Sequence, residues 1–292
     1  MRGKFEIRNS KFETNSNNEY KIRGTRTFRI STLFRVSSFQ FRVFVCALAL
    51  LGGFDSAHSQ PRRLEQTPQL SPAEGAREAQ ALVSEMLAEK PEQNSTNSGL
   101  IKIRDSEGNQ KAIPLKIITL VTSTNWLQIY EASAAAGFSG STLTIIHTSE
   151  KTNQYLLSSP AKFQPKLLSA DELMVPFAGS DFWIADLGYE FLHWPKQIVI
   201  RNEMRHSRAC KILESINPNS ASSGYVRVVC WITVEKPHAP VHADAYDASG
   251  RFKQFDPKNL EKVNGVYQVE SVEMRNSKTG SHTVLEFDTQ DK

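Results

Sequence analysis

Residues 225–255 read YVRVVCWITVEKPHAPVHADAYDASGRFKQF, and the apolar positions within them recur every second residue. Val226, Val228, Cys230 and Ile232 point one way. Tyr225, Arg227, Val229, Trp231 and Thr233 point the other, toward a face neither polar nor wholly apolar. Val241, Ala243 and Ala245 likewise oppose His242, Asp244 and Tyr246. A period of two is that of a strand with one covered face. The turn Asp247-Ala248-Ser249-Gly250 separates strands at Pro240–Tyr246 and Arg251–Phe255. Parallel neighbours need a crossover of about a dozen residues, so connections this short require antiparallel pairing. Outward from this stretch, Arg205–Ser215 precedes the turn signal Asn217–Gly224, and Val266–Met274 and Thr283–Asp288 flank Asn276–Gly280. The C-terminal half is thus predicted to be a meander of about six strands.

The same period runs toward the N-terminus. Leu100–Arg104 and Lys111–Val121 flank the turn Asp105–Asn109, followed by Trp126–Glu131, Thr142–Thr148 and Gln154–Leu157. Before them the period changes. Ser71-Pro72-Ala73-Glu74 combines an N-cap serine, proline at the first helical position and glutamate three residues after the cap. Ala76, Ala79, Leu82, Val83, Met86 and Leu87 then recur at helical spacing until Lys90-Pro91, and Glu92–Gly99 is predicted to be a loop. A second helix is predicted mid-chain. Ser169–Leu173 forms a short turn, and Pro176–Asp181 leads into Phe182–Leu187 with Ser180 or Asp181 as N-cap. Two helices cannot cover the apolar face of some ten flat strands, so the sheet must curl over them or close. The predicted class is α+β: a strongly curved antiparallel half-barrel covered by a few helices.

The chain has 292 residues with 35 Lys+Arg, 31 Asp+Glu and 3 Cys. Its basic excess is local: residues 1–59 carry a balance of +6, and residues 60–292 a balance of −2. The basic whole-chain charge is therefore no argument for nucleic acid, and the dispersed Lys and Arg form no aromatic-basic platform. Val43–Phe54 is a 12-residue apolar run behind Arg29, Arg35 and Arg42, with small residues at Ala57 and Ser59. That pattern predicts a signal peptide cleaved between Ser59 and Gln60, since a membrane span needs about 20 apolar residues. Cys46 belongs to the signal and is not a lipidation site. Residues 1–38 show no helical or strand period and are excluded from the fold. The expected organisation is an N-terminal extension and signal peptide (1–59), a linker and amphipathic helix (60–99), and a sheet domain (100–292).

Catalytic signals are lacking in the sequence. No His-Glu-x-x-His occurs, and Pro237 and Pro240 forbid the helix that would align His238 with His242 on a metal. Gly179-Ser180-Asp181 is not a nucleophile elbow, and capping is the plain role for Ser180. Asp181 and Asp186, five apart on a helix, would point to different sides. The expectation is a protein without catalytic residues, metal or cofactor. Cys210 and Cys230 leave two readings open. A hairpin with Ser215 opposite Tyr225 sets them face to face within disulfide reach, whereas a slipped register leaves two buried free thiols.

Ser180-Asp181-Phe182 with Asp186-Leu187 resembles the SDF-x-x-x-DL stretch of outer-membrane lipoprotein-sorting proteins of the LolA-like superfamily. Neighbouring residues agree in order: Tyr155 before it, then Cys210, Tyr225, Trp231, Pro240, Tyr246-Asp247, Gly250, Lys253, Met274 and Thr279-Gly280 with Thr283. The similarity runs from Leu100 to Asp288 and departs at Ile184-Ala185, where the family often has Tyr-Glu.

The resemblance implies a half-barrel with an apolar cavity and a monomeric carrier in the periplasm of a Gram-negative-type cell. Its cargo would be an acylated lipoprotein or lipid, received from an inner-membrane release or export complex. Candidate lining residues are Phe177, Phe182, Trp183, Leu187, Phe191, Trp194 and Trp231, each with permanent core as the plain alternative. A 16-carbon chain bare in water loses on the order of 12 kcal/mol of burial, which a soluble sleeve must largely recover. Two rival expectations are a carrier of another envelope lipid linked to an exporter, and a structural envelope protein whose filled barrel binds nothing.

Overall fold

A short hairpin opens the chain, with β1 (Phe12–Asn15) antiparallel to β2 (Glu19–Ile22) and Phe12 opposite Ile22. The sequence predicts no regular element there. The computed structural model describes residues 12–15, 19–22, 69–148, 151–219, 224–263 and 266–288. The predicted signal run, Cys46 and the Ser59/Gln60 cleavage point lie outside the described residues.

Helix α1 (Pro72–Ala88) starts as its sequence predicts. Ser71 Oγ accepts from the Glu74 amide at 3.4 Å, and the Glu74 carboxylate accepts from the Ser71 amide at 3.2 Å. These two bonds satisfy amides that a helix start otherwise leaves orphaned. The buried stripe Gly75, Ala79, Leu82 and Val83 faces the sheet.

Thirteen strands form one sheet: β3 (Ser95–Arg104), β4 (Gln110–Val121), β5 (Asn125–Ala132), β6 (Ser141–Thr148), β7 (Lys151–Ser159), β8 (Lys162–Leu167), β9 (Lys196–Arg205), β10 (Arg208–Ile216), β11 (Arg227–Thr233), β12 (Pro240–Asp247), β13 (Gly250–Val263), β14 (Val266–Asn276) and β15 (Ser281–Phe287). Their order across the sheet is β8-β7-β6-β5-β4-β3-β15-β14-β13-β12-β11-β10-β9. All neighbours are antiparallel, so two meanders meet where β15 pairs with β3, Thr283 opposite Ile103. Strands β8 and β9, consecutive in the chain, are the two outer edges.

The elements differ from expectation in four places. The predicted strand Arg205–Ser215 is the end of β9 followed by β10, turning at His206 and Ser207 with φ of 49° and 59°. Neither residue is the glycine or asparagine that usually announces such a turn. Strand β3 begins at Ser95, inside the predicted loop, because polar Ser95–Ser98 pair with Lys116–Thr119. Strand β8 is unannounced by any alternation. The second helix shrinks to one turn, α2 (Ile184–Leu187), between 3₁₀ turns at Ala170–Glu172 and Glu190–His193. Its cap is Trp183, whose amide donates to the Asp186 carboxylate at 2.7 Å, and not Ser180 or Asp181. Left-handed backbone at Ala178 (φ 53°) and Tyr189 (φ 48°) stops the helix from extending either way.

One face of the sheet carries two large apolar clusters. Ile101, Ile113, Leu143, Ile145 and Leu285 belong to the first. Val199, Leu213, Val228, Cys230 and Ile232 belong to the second, together with Ala79, Leu82 and Val83 of α1. The segment 168–195 between β8 and β9 packs against both.

The cysteines take the second of their two readings. Cys210 stands opposite Thr233, and Cys230 opposite Leu213. The hairpin has slipped three residues from the register that a bridge needs. An odd slip sends every side chain to the other face. Cys230 therefore joins the covered cluster, Cys210 lies on the opposite face with Ile212 and Val229, and both are buried free thiols.

Candidate functional site

Six of the seven predicted lining residues lie on the segment 168–195, and the structure gathers them over the covered face. Phe177, Phe182 and Leu187 are buried in the first cluster, Phe191 and Trp194 in the second, with Trp183 half-buried against it. Trp231 does not join them. It packs on the opposite face with Cys210, Ile212 and Val229, because alternation along β11 separates it from Cys230 and Ile232.

Polar contacts pin this segment to widely separated strands. The Asp181 amide donates to Thr283 Oγ1 at 2.9 Å, and its carboxylate accepts from Ser281 at 2.6 Å and from Thr283 at 2.9 Å, all on β15. Tyr130 on β5 donates to the Leu187 carbonyl at 3.3 Å. On β7, Asn153 donates to the Gly188 carbonyl at 2.9 Å and the Tyr155 hydroxyl to Glu190 at 2.7 Å. Burial raises the pKa of both Tyr155 and Glu190. From β9, the Gln197 amide donates to the carbonyls of Phe191 and Leu192, each at 3.0 Å. A side chain at position 188 would place Cβ 2.2 Å from the Tyr155 hydroxyl, which explains the glycine there.

The densest contact surrounds Lys253 on β13. Its side chain is fully buried, and its ammonium lies 3.0 Å from the Tyr225 hydroxyl and 3.5 Å from the Asp186 carboxylate. Tyr225 donates to that carboxylate at 2.8 Å. The Trp183 ring stacks on Tyr225 at 4.6 Å and lies 3.6 Å beneath the ammonium, a cation–π contact strengthened by the lack of water. Burial pushes the Lys253 pKa down to about 8, against the pull of Asp186 and Asp181. Burial, followed by the Asp186 charge, drives the Tyr225 phenol well up.

A second titratable group marks the other half of the sheet. His147 on β6 stacks on Trp126 at 3.8 Å, and its Nε2 is buried without a hydrogen-bond partner. Burial, reinforced by nearby His193, lowers its pKa to about 4.

The motif residues Ser180, Asp181 and Asp186 are thus anchors of the covering segment; Ser180 Oγ meets the Phe182 amide at 3.2 Å. The partners Lys253, Tyr225 and Thr283 were not predicted as site residues. One signal was present for Lys253: it pairs with Ala245, a position on the apolar face.

A cavity of about 30 Å³ adjoins Lys253, Asp186 and Tyr225, its other walls including Val228, Cys230 and Met274. That is room for a water or two, well short of the several hundred Å³ usual for a ligand pocket. With the segment docked, the interior is filled by side chains. A groove of about 410 Å³ lies elsewhere on the sheet, beside Lys102, Arg104, Lys111 and His282 as well as Ile103, Ala112 and Val284.

Three solved structures resemble this arrangement. A DUF1329 family protein from Desulfovibrio piger matches with a TM-score of 0.59 and 18% identity over 73% of this chain and 91% of its own. A "putative outer membrane lipoprotein-sorting protein domain" from Vibrio parahaemolyticus gives 0.59 and 18%, over 76% and 95%. A LolA superfamily protein from Nitrosomonas europaea gives 0.51 and 18%, over 74% and 92%. At such identity the likeness is one of fold. No curated protein matches the chain. A family model described as "Uncharacterized protein" matches residues 132–291. Since that model takes in more than half of the chain, the protein belongs to this family, and its fold is that of the LolA superfamily.

Proposed function

We propose that this protein is a periplasmic, non-enzymatic carrier that holds the acyl chains of lipoproteins between its sheet and the segment 168–195, for sorting to the outer membrane. The observation that carries the reading is the nature of the cover. An apolar face spanning both halves of the sheet is closed by a mostly irregular segment, held at separate points by hydrogen bonds. Releasing those points would expose hydrocarbon-binding surface without unfolding a strand.

A strongly curved, half-barrel sheet is part of the proposal. Strands β13 and β7 are seven spacings apart, about 34 Å if the sheet were flat. Yet Asp186 reaches Lys253 on β13 while Gly188 reaches Asn153 on β7. The backbone between those two residues spans only about 7 Å. Curling brings both strands within side-chain reach of one short stretch.

Loading requires the segment to lift, since the closed interior is filled. A long acyl chain recovers on the order of 12 kcal/mol by burial, and the displaced Phe177, Phe182 and Leu187 must find partial cover elsewhere. Export by the predicted signal peptide and hand-over from an inner-membrane release or export complex complete the proposal. The filled interior favours one rival, a structural protein that binds nothing.

Titration with a fluorescent fatty acid decides between them. The carrier takes it up saturably, and Trp183→Asp weakens uptake with far-ultraviolet circular dichroism unchanged. Absence of uptake by the wild-type chain would leave the structural role.

A further inference from the structure

We infer that the ligand is an anionic amphiphile bound head-inward, its carboxylate or phosphate oxygens taking the place on Lys253 and Tyr225 that Asp186 fills in the closed state. The inference rests on the sheet-and-cover site of the carrier reading, and moves its cargo from the acyl chains of lipoproteins, which are ester- or amide-linked and carry no oxyanion, to an anionic envelope lipid.

The two sides of the Lys253 contact belong to different moving parts. Lys253 is a strand residue, and Tyr225 is tied to the sheet on both sides. Its carbonyl accepts from the Asn217 side chain at 2.7 Å, and the next amide, Val226, donates to Tyr246 at 2.7 Å. Asp186 lies on α2, bonded to the Trp183 amide, and travels with the cover. Lifting the segment therefore removes a carboxylate and leaves an ammonium and a phenol, 3.0 Å apart, among Ala245, Phe252 and Met274. A ligand that closes over the ammonium again without offering it a partner buries an unpaired charge, which is strongly unfavourable.

An uncharged hydrocarbon would fill the space and leave that cost in place. An oxyanion removes it, and Asp186 demonstrates the fit: one carboxylate accepts from Tyr225 and pairs with the ammonium. Val228, Cys230 and Ala243 line the small space beside these donors, so the face uncovered by the lifted segment offers apolar surface to a chain attached to the head.

The test compares a dansyl fatty acid with its uncharged methyl ester on the full chain. The acid should bind roughly tenfold tighter, as a hydrogen-bonded charge is worth, and Lys253→Met should abolish the difference between acid and ester. Tyr225→Phe, which keeps the ring stacked on Trp183, should reduce the preference and provides a second reading if the first variant misfolds. Displacement of the probe by palmitate or by lysophosphatidylglycerol identifies a carboxylate or a phosphate head. Equal binding of acid and ester by the wild type, or a preference that survives both substitutions, overturns the inference alone. Binding of neither probe overturns the carrier reading and the inference with it.

Discussion

Lys253 carries a sign that can be measured. Its folded pKa of about 8 lies below the usual 10.5 because burial disfavours the ammonium. Between those two pH values the unfolded chain holds a proton that the folded chain has shed, so stability rises with pH across that window. Compared with Lys253→Met, the wild type should gain on the order of 3 kcal/mol as pH climbs from below 8 toward 10. Urea unfolding of both proteins across that range reads the difference; parallel profiles would show that Lys253 is solvated. At this scale the sequence was half legible. Asp181 and Asp186 stood out as a spaced motif, but their partners Tyr225, Lys253, Ser281 and Thr283 come some 40 to 100 residues later, and no local pattern announces those. Trp231 was misplaced for the converse reason: large apolar size was weighed above its position in the alternation.

Among elements, α1 was fully legible, because a capping box and a helical stripe are local signals. The cover was not. Phe182–Phe191 has the composition of a helix, yet its backbone bends to serve partners on both halves of the sheet: Asp186 on Tyr225, Gly188 on Asn153 and Glu190 on Tyr155. Tertiary contacts decided its conformation. Acid should loosen this element first. His147 has a folded pKa of about 4 against 6.5 ordinarily, and burial also lowers that of His193 on the covering segment. The stability these neutral rings contribute is complete above 6.5 and is lost as pH falls toward 4. Glu190, whose pKa is raised, acts in the opposite direction and softens the effect. Once the intrinsic pH dependence of exchange is divided out, amide protection in residues 168–195 should fall over that interval, and His147→Phe should flatten the response. Unchanged protection would show that His147 does not bear on the cover.

For the molecule as a whole, the meander was legible from turns and period, whereas the pairing of β15 with β3 was not, since it joins strands far apart in the chain. That junction depends on close approach at Gly99, where a Cβ would lie 2.0 Å from the Glu286 carbonyl oxygen. Gly99→Ala should therefore lower the stability of the entire sheet by about 1–3 kcal/mol, seen as a single shifted thermal transition. A transition that splits in two would instead mean that the halves fold independently.

The β15–β3 junction also bears on how the chain reaches its fold. The first strand of the sheet lacks one neighbour until the last has been synthesised, and pairings so distant in sequence form slowly. During synthesis the nascent polypeptide therefore presents an incomplete sheet for almost its full length, and the closing hydrogen bonds form only after β15 has emerged.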